Sequence, residues 1–219
     1  MRKTLLFIMA LVLAGPVWGA ATKPAESQPA DDLRAINRLL MAAGEAEQQS
    51  DYDGAIRAYS AILALKPDDE PILLDRGGNY AGKKDFDHAL ADFSALIAKQ
   101  PDNADALNAR CWDRAWVNRD LDGALADCSA ALKLIRNRQT IAEVHDSRGF
   151  VYFRKGDFSR AITDYDAALQ LSPRMAESLY RRGLAKVRKG DPAGKADITM
   201  ALTMDPHAGD DMNGLGLKP

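Results

Sequence analysis

The feature that most constrains this chain is a short acidic motif that recurs about every 34 residues. An Asp-aromatic-Asp pattern, or a variant of it, stands at residues 51–53, 85–87, 120–122, 157–159 and 191–193. Prolines follow a similar period at Pro67, Pro101, Pro173 and Pro206. A period of roughly 20–50 residues is typical of solenoids, in which each unit packs mainly against its neighbours.

Each repeating unit contains two amphipathic segments with the spacing of helices. In the first unit the apolar residues Ala55, Ile56, Tyr59, Ile62 and Leu63 lie at helical intervals. The Asp that opens each second segment is a natural N-cap, because its carboxylate accepts a free backbone N–H of the first turn. The proline that closes the unit prevents the helix from continuing. The pattern predicts an all-α protein built from helix-turn-helix units.

These units resemble the tetratricopeptide repeat family over residues 36–206. The small residue of the family's position 8 is Ala43, Gly77, Cys111, Gly149 and Gly183, and the Ala of position 20 is Ala55, Ala89, Ala124 and Ala161. Position 24 holds Tyr59, Phe93, Cys128, Tyr165 and Ile198. The resemblance implies a right-handed α-solenoid over residues 32–208, with about five repeats. We number them units one to five: 36–69, 70–103, 104–138, 142–175 and 176–208. Residues 139–141 lengthen the junction before unit four.

The two ends of the chain differ from the repeats. Arg2 and Lys3, an apolar run over residues 5–14 and small residues around Ala20 predict a secretory signal peptide at residues 1–21, with an uncleaved anchor as the alternative. We therefore expect a periplasmic protein with no membrane span after cleavage. We also expect two disordered segments, a leader at residues 22–31 and a tail at residues 209–219 with no capping helix.

Composition and charge exclude several classes of function. With 29 Lys+Arg against 31 Asp+Glu, no overall basic field favours nucleic acid as a partner. Two cysteines and three histidines show no metal-ligand spacing, so we expect neither metal nor cofactor. The acidic pairs recur at the repeat period and are interpreted as helix caps. Because no nucleophile motif is present, the chain is not predicted to be an enzyme.

Cys111 and Cys128 occupy positions 8 and 24 of unit three, which face each other across one helical hairpin. In an exported chain we expect them to form a disulfide. Two buried free thiols that act as small apolar side chains are the alternative.

In this family, certain positions of the first helices line the concave groove. The resemblance implies a partner-binding groove formed by Asn108, Trp112, Trp116, Asp146, Phe150, Phe153, Arg154, Tyr180, Arg181, Leu184 and Arg188. Tryptophan and arginine often dominate binding energy. The arginines favour an acidic or C-terminal peptide. Equally, Trp112 and Phe150 could pack together and complete the core.

The family also suggests which partners to expect. The carboxylate clamp of chaperone-binding members is absent, because the matching positions hold Asn108, Trp112, Ser147, Glu177 and Arg181. We therefore expect a non-catalytic scaffold or adaptor of the bacterial cell envelope that binds a protein or peptide. An accessory lobe or subunit of an enzyme acting on envelope polymers such as peptidoglycan is the alternative, and a passive spacer is a third.

Overall fold

The computed structural model describes residues 29–219, and within this range the chain forms eleven α-helices and no strand. The helices are α1 (Pro29–Gln48), α2 (Tyr52–Leu65), α3 (Glu70–Gly82), α4 (Phe86–Lys99), α5 (Ala104–Trp116), α6 (Leu121–Leu134), α7 (Arg138–Arg154), α8 (Phe158–Leu171), α9 (Ala176–Arg188), α10 (Ala193–Met204) and α11 (Asp210–Gly214). The predicted signal peptide and residues 22–28 of the predicted leader lie outside the described residues.

Helices α1 to α10 form five antiparallel hairpins that stack in chain order. Each hairpin packs mainly on the next, as expected for units that cannot bury an apolar face alone. The first helices of neighbouring units also contact one another, as α5 contacts α7, whereas the second helices lie outside. The five-unit all-α solenoid predicted from the repeat is therefore confirmed, and its first helices line the concave face.

The acidic motif begins the second helix of each unit, and in units one to three its two carboxylates have different roles. The first one caps the helix: the Asp120 carboxylate accepts the backbone N–H of Gly123 at 3.1 Å, and that of Asp157 accepts the N–H of Arg160 at 3.0 Å. The second one reaches the next unit, as Asp122 does in pairing with Lys155 at 2.6 Å. The motif thus starts one helix and also joins two units.

The two helices of a hairpin touch at positions 8 and 24. In unit four, a Cβ added to Gly149 would lie 2.9 Å from the ring of Tyr165, so no side chain fits there. Gly77 and Phe93, and Gly183 and Ile198, form the same close contact. Unit three replaces the contact with a disulfide between Cys111 and Cys128, whose Cα atoms are 5.6 Å apart. The structure agrees with the predicted bond.

A buried ion pair recurs in four of the five units. An arginine at position 7 donates two hydrogen bonds of 2.7–2.8 Å to the carboxylate of an aspartate on the second helix. The pairs are Arg76–Asp92, Arg110–Asp127, Arg148–Asp164 and Arg182–Asp197. Arg76 also donates to Ser60, and Arg110 to Ser94, in the preceding unit. These paired hydrogen bonds therefore hold four of the hairpins together, and in units two and three the same arginine also bonds to the preceding unit.

Three segments differ from the expectations for them. Residues 29–31, predicted as part of a disordered leader, lie in α1. Residues 139–141, predicted to lengthen a junction, belong to the first turn of α7, where the Asn137 side chain accepts the N–H groups of Gln139 and Thr140. The cap extends the helix backward and removes the break between units.

The third correction concerns the tail, which is not disordered over the residues described. It contains α11, in which Met212 is buried, and Ala208 before the helix is buried too. Leu215 and Leu217 pack against the same core at partial burial. Ala208, Met212 and Leu215 repeat at the spacing of one helix face, which supplies the apolar area that holds the segment in place.

Candidate functional site

The C-terminal segment, residues 207–218, lies along α9 on the concave face. Gly209 sits so close to Tyr180 that an added Cβ would be 2.6 Å from the ring, and the Tyr180 hydroxyl is 3.5 Å from the Asn213 side-chain oxygen. Further along, Arg188 donates to the carbonyl of Lys218 at 2.6 Å. The chain therefore covers part of its own concave face at unit five.

The C-terminal segment reduces how much of the predicted groove is accessible. Six of its residues are buried, namely Asp146, Phe150, Phe153, Tyr180, Arg181 and Leu184. Asn108, Trp112, Trp116 and Arg154 are partly buried, and only Arg188 is exposed. The expectation of an open groove does not hold for the six buried residues, because α7 packs between its neighbours and the C-terminal segment lies over α9. The accessible part of the predicted site is centred on the two tryptophans.

An aromatic cluster surrounds those tryptophans. The rings of Trp112 and Phe150 are 5.1 Å apart, centre to centre, and those of Trp112 and Trp116 are 6.0 Å apart. Phe86 of unit two extends the cluster at 6.1 Å from Trp116. Both alternatives for the tryptophans are therefore true in part, since Trp112 packs on buried Phe150 while both indoles also line a surface pocket.

Arg181 does not offer its charge to a partner. Its guanidinium is buried, 2.6 Å from Asp146 and 3.5 Å from Asp211 of the C-terminal segment. It also lies over the ring of Trp112, 4.9 Å from the ring centre. The expectation that Arg181 orients an acidic peptide is therefore not supported, because two aspartates of the same chain already neutralise it.

The pocket beside the indoles, which we call the tryptophan pocket, has a volume of about 310 Å³. Its lining includes Phe86, Trp112, Trp116, Asp113, Asp211 and Lys84. A second pocket of about 260 Å³ is also lined by Trp112 and Asp211. Together the two are lined by five acidic residues and two basic ones. The surface around Trp112 is therefore acidic, opposite to the charge that the arginines of the sequence suggest.

Asp113 is the residue of this pocket that is hardest to explain by packing. The residue is 2% exposed, and its Oδ2 atom has no hydrogen-bond partner among the described residues. Burial raises the pKa of the Asp113 carboxyl to about 7. The equivalent position holds buried Val151 in unit four, and in unit two Asn79, which donates to Glu47. Buried polar groups are nearly always paired, so this carboxylate is a candidate for ligand binding.

Four aromatic or charged residues of the pocket were not anticipated from the sequence: Lys84, Phe86, Asp113 and Asp211. Phe86 belongs to the recurring motif of unit two, and only the stacking of units brings it to Trp116. Asp211 arrives through the path of the C-terminal segment. Asp113 could have been noticed in the sequence. It is a charged residue that directly follows Trp112 and stands between two small apolar residues of the same helix, Cys111 and Ala115.

Two further findings concern the described range of the chain. Residues 29–219 contain no group of three or more His, Cys, Asp or Glu side chains that could hold a metal ion. No helix in the same range has both the length and the apolar character needed to cross a bilayer.

Comparison with models of known protein families identifies repeats in two stretches of the chain. A family model described as "Tetratricopeptide repeat" matches residues 40–104, and one described as "TPR repeat" matches residues 148–190. No curated protein matches the sequence significantly.

Several solved structures share the fold. A thermophilic TPR protein of Thermus thermophilus, TTC0263, is 19% identical with a TM-score of 0.65, over 83% of this chain and 97% of that one. MamA 41-end from Desulfovibrio magneticus RS-1 is 16% identical with a TM-score of 0.67, over 78% and 96%. A further MamA crystal structure is 20% identical with a TM-score of 0.61, over 82% and 93%. At these identities the likeness shows the fold alone.

Proposed function

Because the chain belongs to the tetratricopeptide repeat family, we propose that it is a non-catalytic scaffold that holds a segment of a protein partner on its concave face. Repeats of this family imply protein partners, and solenoids use their extended concave surfaces for binding. The observation that carries the proposal is the accessible aromatic surface of Trp112, Trp116 and Phe86. Large aromatic side chains beside a pocket are typical anchors of an interface.

The proposed binding surface lies between units two and four. At unit five the C-terminal segment covers Tyr180 and accepts a hydrogen bond from Arg188, which reduces the open concave surface there. On the other side, the turn after α3 brings Lys84 to the rim of the tryptophan pocket. A partner segment would cross α5 near the two indoles, where the concave face stays accessible.

The proposal includes a place in the bacterial cell envelope. The N-terminal sequence, with Arg2 and Lys3 before an apolar run, supports export. The bond between Cys111 and Cys128 supports it independently, because disulfides persist in oxidising compartments such as the periplasm. Mass spectrometry of the protein recovered from cells tests this part. We expect the loss of about the first 20 residues, and recovery of a chain that starts at Met1 in the cytoplasm would contradict it.

Affinity capture from envelope extracts tests the scaffold function. Trp116→Ala is the informative variant, since Trp112 also supports the buried Arg181. We expect it to weaken capture of the partner by about 2 kcal/mol, roughly 30-fold, if the indole is an anchor. Leu202→Ala, at an exposed leucine of α10, is the matched control and should capture normally.

Circular dichroism and urea unfolding must accompany this measurement. A folded Trp116→Ala protein that captures as well as the unaltered chain would contradict the proposed location of the site. Loss of capture in both variants would show that the effect is not specific to the concave face.

A further inference from the structure

We propose that the tryptophan pocket binds a cationic side chain, lysine or arginine, of the partner's segment. This inference rests on the proposed function and specifies the chemistry of the partner. It replaces the acidic peptide suggested by the arginines of the sequence with a basic one.

The aromatic rings that line the pocket form a surface of the kind that binds cations. Phe86, Trp116 and Trp112 stand in a row with ring centres 6.1 and 6.0 Å apart and with tilts of 34° and 39° between adjacent planes. The negative face of an indole attracts an ammonium or guanidinium group. Trp112 already holds the guanidinium of Arg181 over its ring in this way. Among the described residues, Trp116 has no cation over it, and its indole lines the pocket.

Asp113 supplies the second, independent observation. This carboxylate lines the same pocket, is almost completely buried, and forms no ion pair with the described residues. A buried charge without a counter-ion is unfavourable, and a cation that entered the pocket would provide one. Asp211 adds a second carboxylate to the lining, half exposed and only 3.5 Å from Arg181. Aromatic rings and carboxylates around one cavity together select a positive charge.

Among the described residues, Lys84 is the one cation that lines the pocket. It is exposed, on the turn between α3 and α4, and it forms no ion pair with Asp113 or Asp211. Its ammonium group therefore leaves Asp113 unneutralised but competes electrostatically with an incoming cation. Removing this charge should strengthen binding.

The size of the pocket favours a side chain as the ligand. A volume of about 310 Å³ lies at the lower end of the range for ligand pockets, roughly 300–1,000 Å³. It suits one long side chain, with the rest of the partner segment lying along α5. This is why we assign the cation to a peptide.

The test uses the full chain and short glycine-serine peptides that differ in one central residue. The readout is the indole N–H signals of Trp112 and Trp116 in NMR spectra, assigned with Trp→Phe variants. We expect the arginine and lysine peptides to shift both signals, and the glutamine peptide to bind at least ~10-fold more weakly. Asp113→Asn should lower the affinity for the lysine peptide by a similar factor. Lys84→Gln should raise this affinity by about 2-fold or more.

Asp105→Asn is the matched control, because it makes the same change at an exposed residue of the same helix. It should leave the affinity unchanged. Equal binding of the glutamine peptide, or an Asp113→Asn protein with unaltered affinity, would overturn the proposal. Tetramethylammonium that binds as tightly as the lysine peptide would overturn the assignment to a side chain and identify a free small cation.

The outcome can be separated from that of the proposed function. If Trp116→Ala abolishes capture of the partner but the cationic peptides do not bind, this inference fails alone. If the cationic peptides bind but Trp116→Ala leaves capture of the partner unaffected, the pocket binds cations and the partner binds elsewhere on the protein. That result would overturn the link between the pocket and the partner.

Discussion

Units three and four form the same hairpin, but they fill its central contact in different ways. In unit four, Gly149 leaves room for the ring of Tyr165, which is fully buried between the helices. In unit three, the equivalent positions are Cys111 and Cys128, which are joined covalently. One unit is held by packing, and the other by a cross-link with a much smaller apolar volume.

The two units also differ on the concave side. Where unit four has buried Val151, unit three has unpaired Asp113, and where unit four has Arg154, unit three has Trp116. Proteins break their own packing rules mainly at functional sites and compensate elsewhere. Under the proposed function, the unpaired carboxylate and Trp116 of unit three belong to the binding surface, and the disulfide joins the two helices of the hairpin that carries them.

The largest effect should come from the packed unit. Tyr165→Ala removes the largest fully buried side chain, and we expect a loss of about 4 kcal/mol in the free energy of unfolding, measured in urea. Tyr152→Ala, at a partly buried ring of the same unit, should cost less than half as much. Equal losses in the two variants would show that unit four does not depend on the hairpin contact.

Removing the cross-link from unit three should cost somewhat less. The cysteines are 17 residues apart, and closing a loop of that size is worth about 3 kcal/mol in the chain-entropy model. Cys111→Ala/Cys128→Ala should show this loss. Reductant should destabilise the unaltered protein and leave the double variant unchanged. Two thiols that react with an alkylating agent in unreduced, denatured protein would disprove the bond.

Asp113→Asn should instead stabilise the free protein. Burial raises the pKa of the Asp113 carboxyl to about 7 in the folded chain, above its ordinary value of 3.8. The stability of the folded chain is therefore highest with respect to this group below pH 4, where Asp113 is protonated in both states. It falls as the pH rises from 4 through 7, because the unfolded chain loses this proton first. Rearrangement around the ionised group reduces the effect, so we expect a gain of about 2 kcal/mol for the variant at pH 8.

Unfolding curves of the two proteins from pH 4 to pH 8 provide the measurement. The neighbouring charged groups in the pocket, Lys84 and Asp211, are the same in both proteins. The stability gap should open between pH 4 and 7. A variant that is less stable at every pH would mean that Asp113 has a structural role.

The smallest effect should come from the bridge between the two units. Asp122 is almost fully exposed, and its pair with Lys155 is accessible to solvent and salt. Asp122→Asn should change the free energy of unfolding by less than ~0.5 kcal/mol, and this small difference should vanish at high salt. A larger loss would mean that junctions between units depend on surface charge as well as on packing.

Much of the fold could be predicted because the repeat encodes it locally. Each capping aspartate, each small residue at position 8 and its partner at position 24 recur at fixed intervals, so hairpins and their stacking follow from the sequence. The disulfide followed from the same alignment. The recurrent arginine at position 7 was equally visible, but it was not connected with its aspartate because charged residues are usually exposed.

The site was less predictable because it depends on long-range placement. Trp112 and Trp116 were identified from their positions in the unit. Asp211 reaches them only because the C-terminal segment folds back, and the three glycines around α11 obscured its short apolar pattern. The same path brings Asp211 to Arg181 as a second carboxylate beside Asp146 of α7. Charge complementarity at the groove therefore could not be derived from the repeat alone.

The buried ion pairs have a consequence for how such a chain can lengthen or shorten. Because Arg76 and Asp92 belong to one unit, a gene duplication that copies unit two carries both charges together and leaves neither uncompensated. In the copy, Arg76 would meet Ser94 in place of Ser60, the same residue type at the same position. Unit one holds Ala42 and Ala58 at the corresponding positions and needs no preceding neighbour. A copy of unit two inserted after the first unit would therefore leave none of its buried charges unpaired.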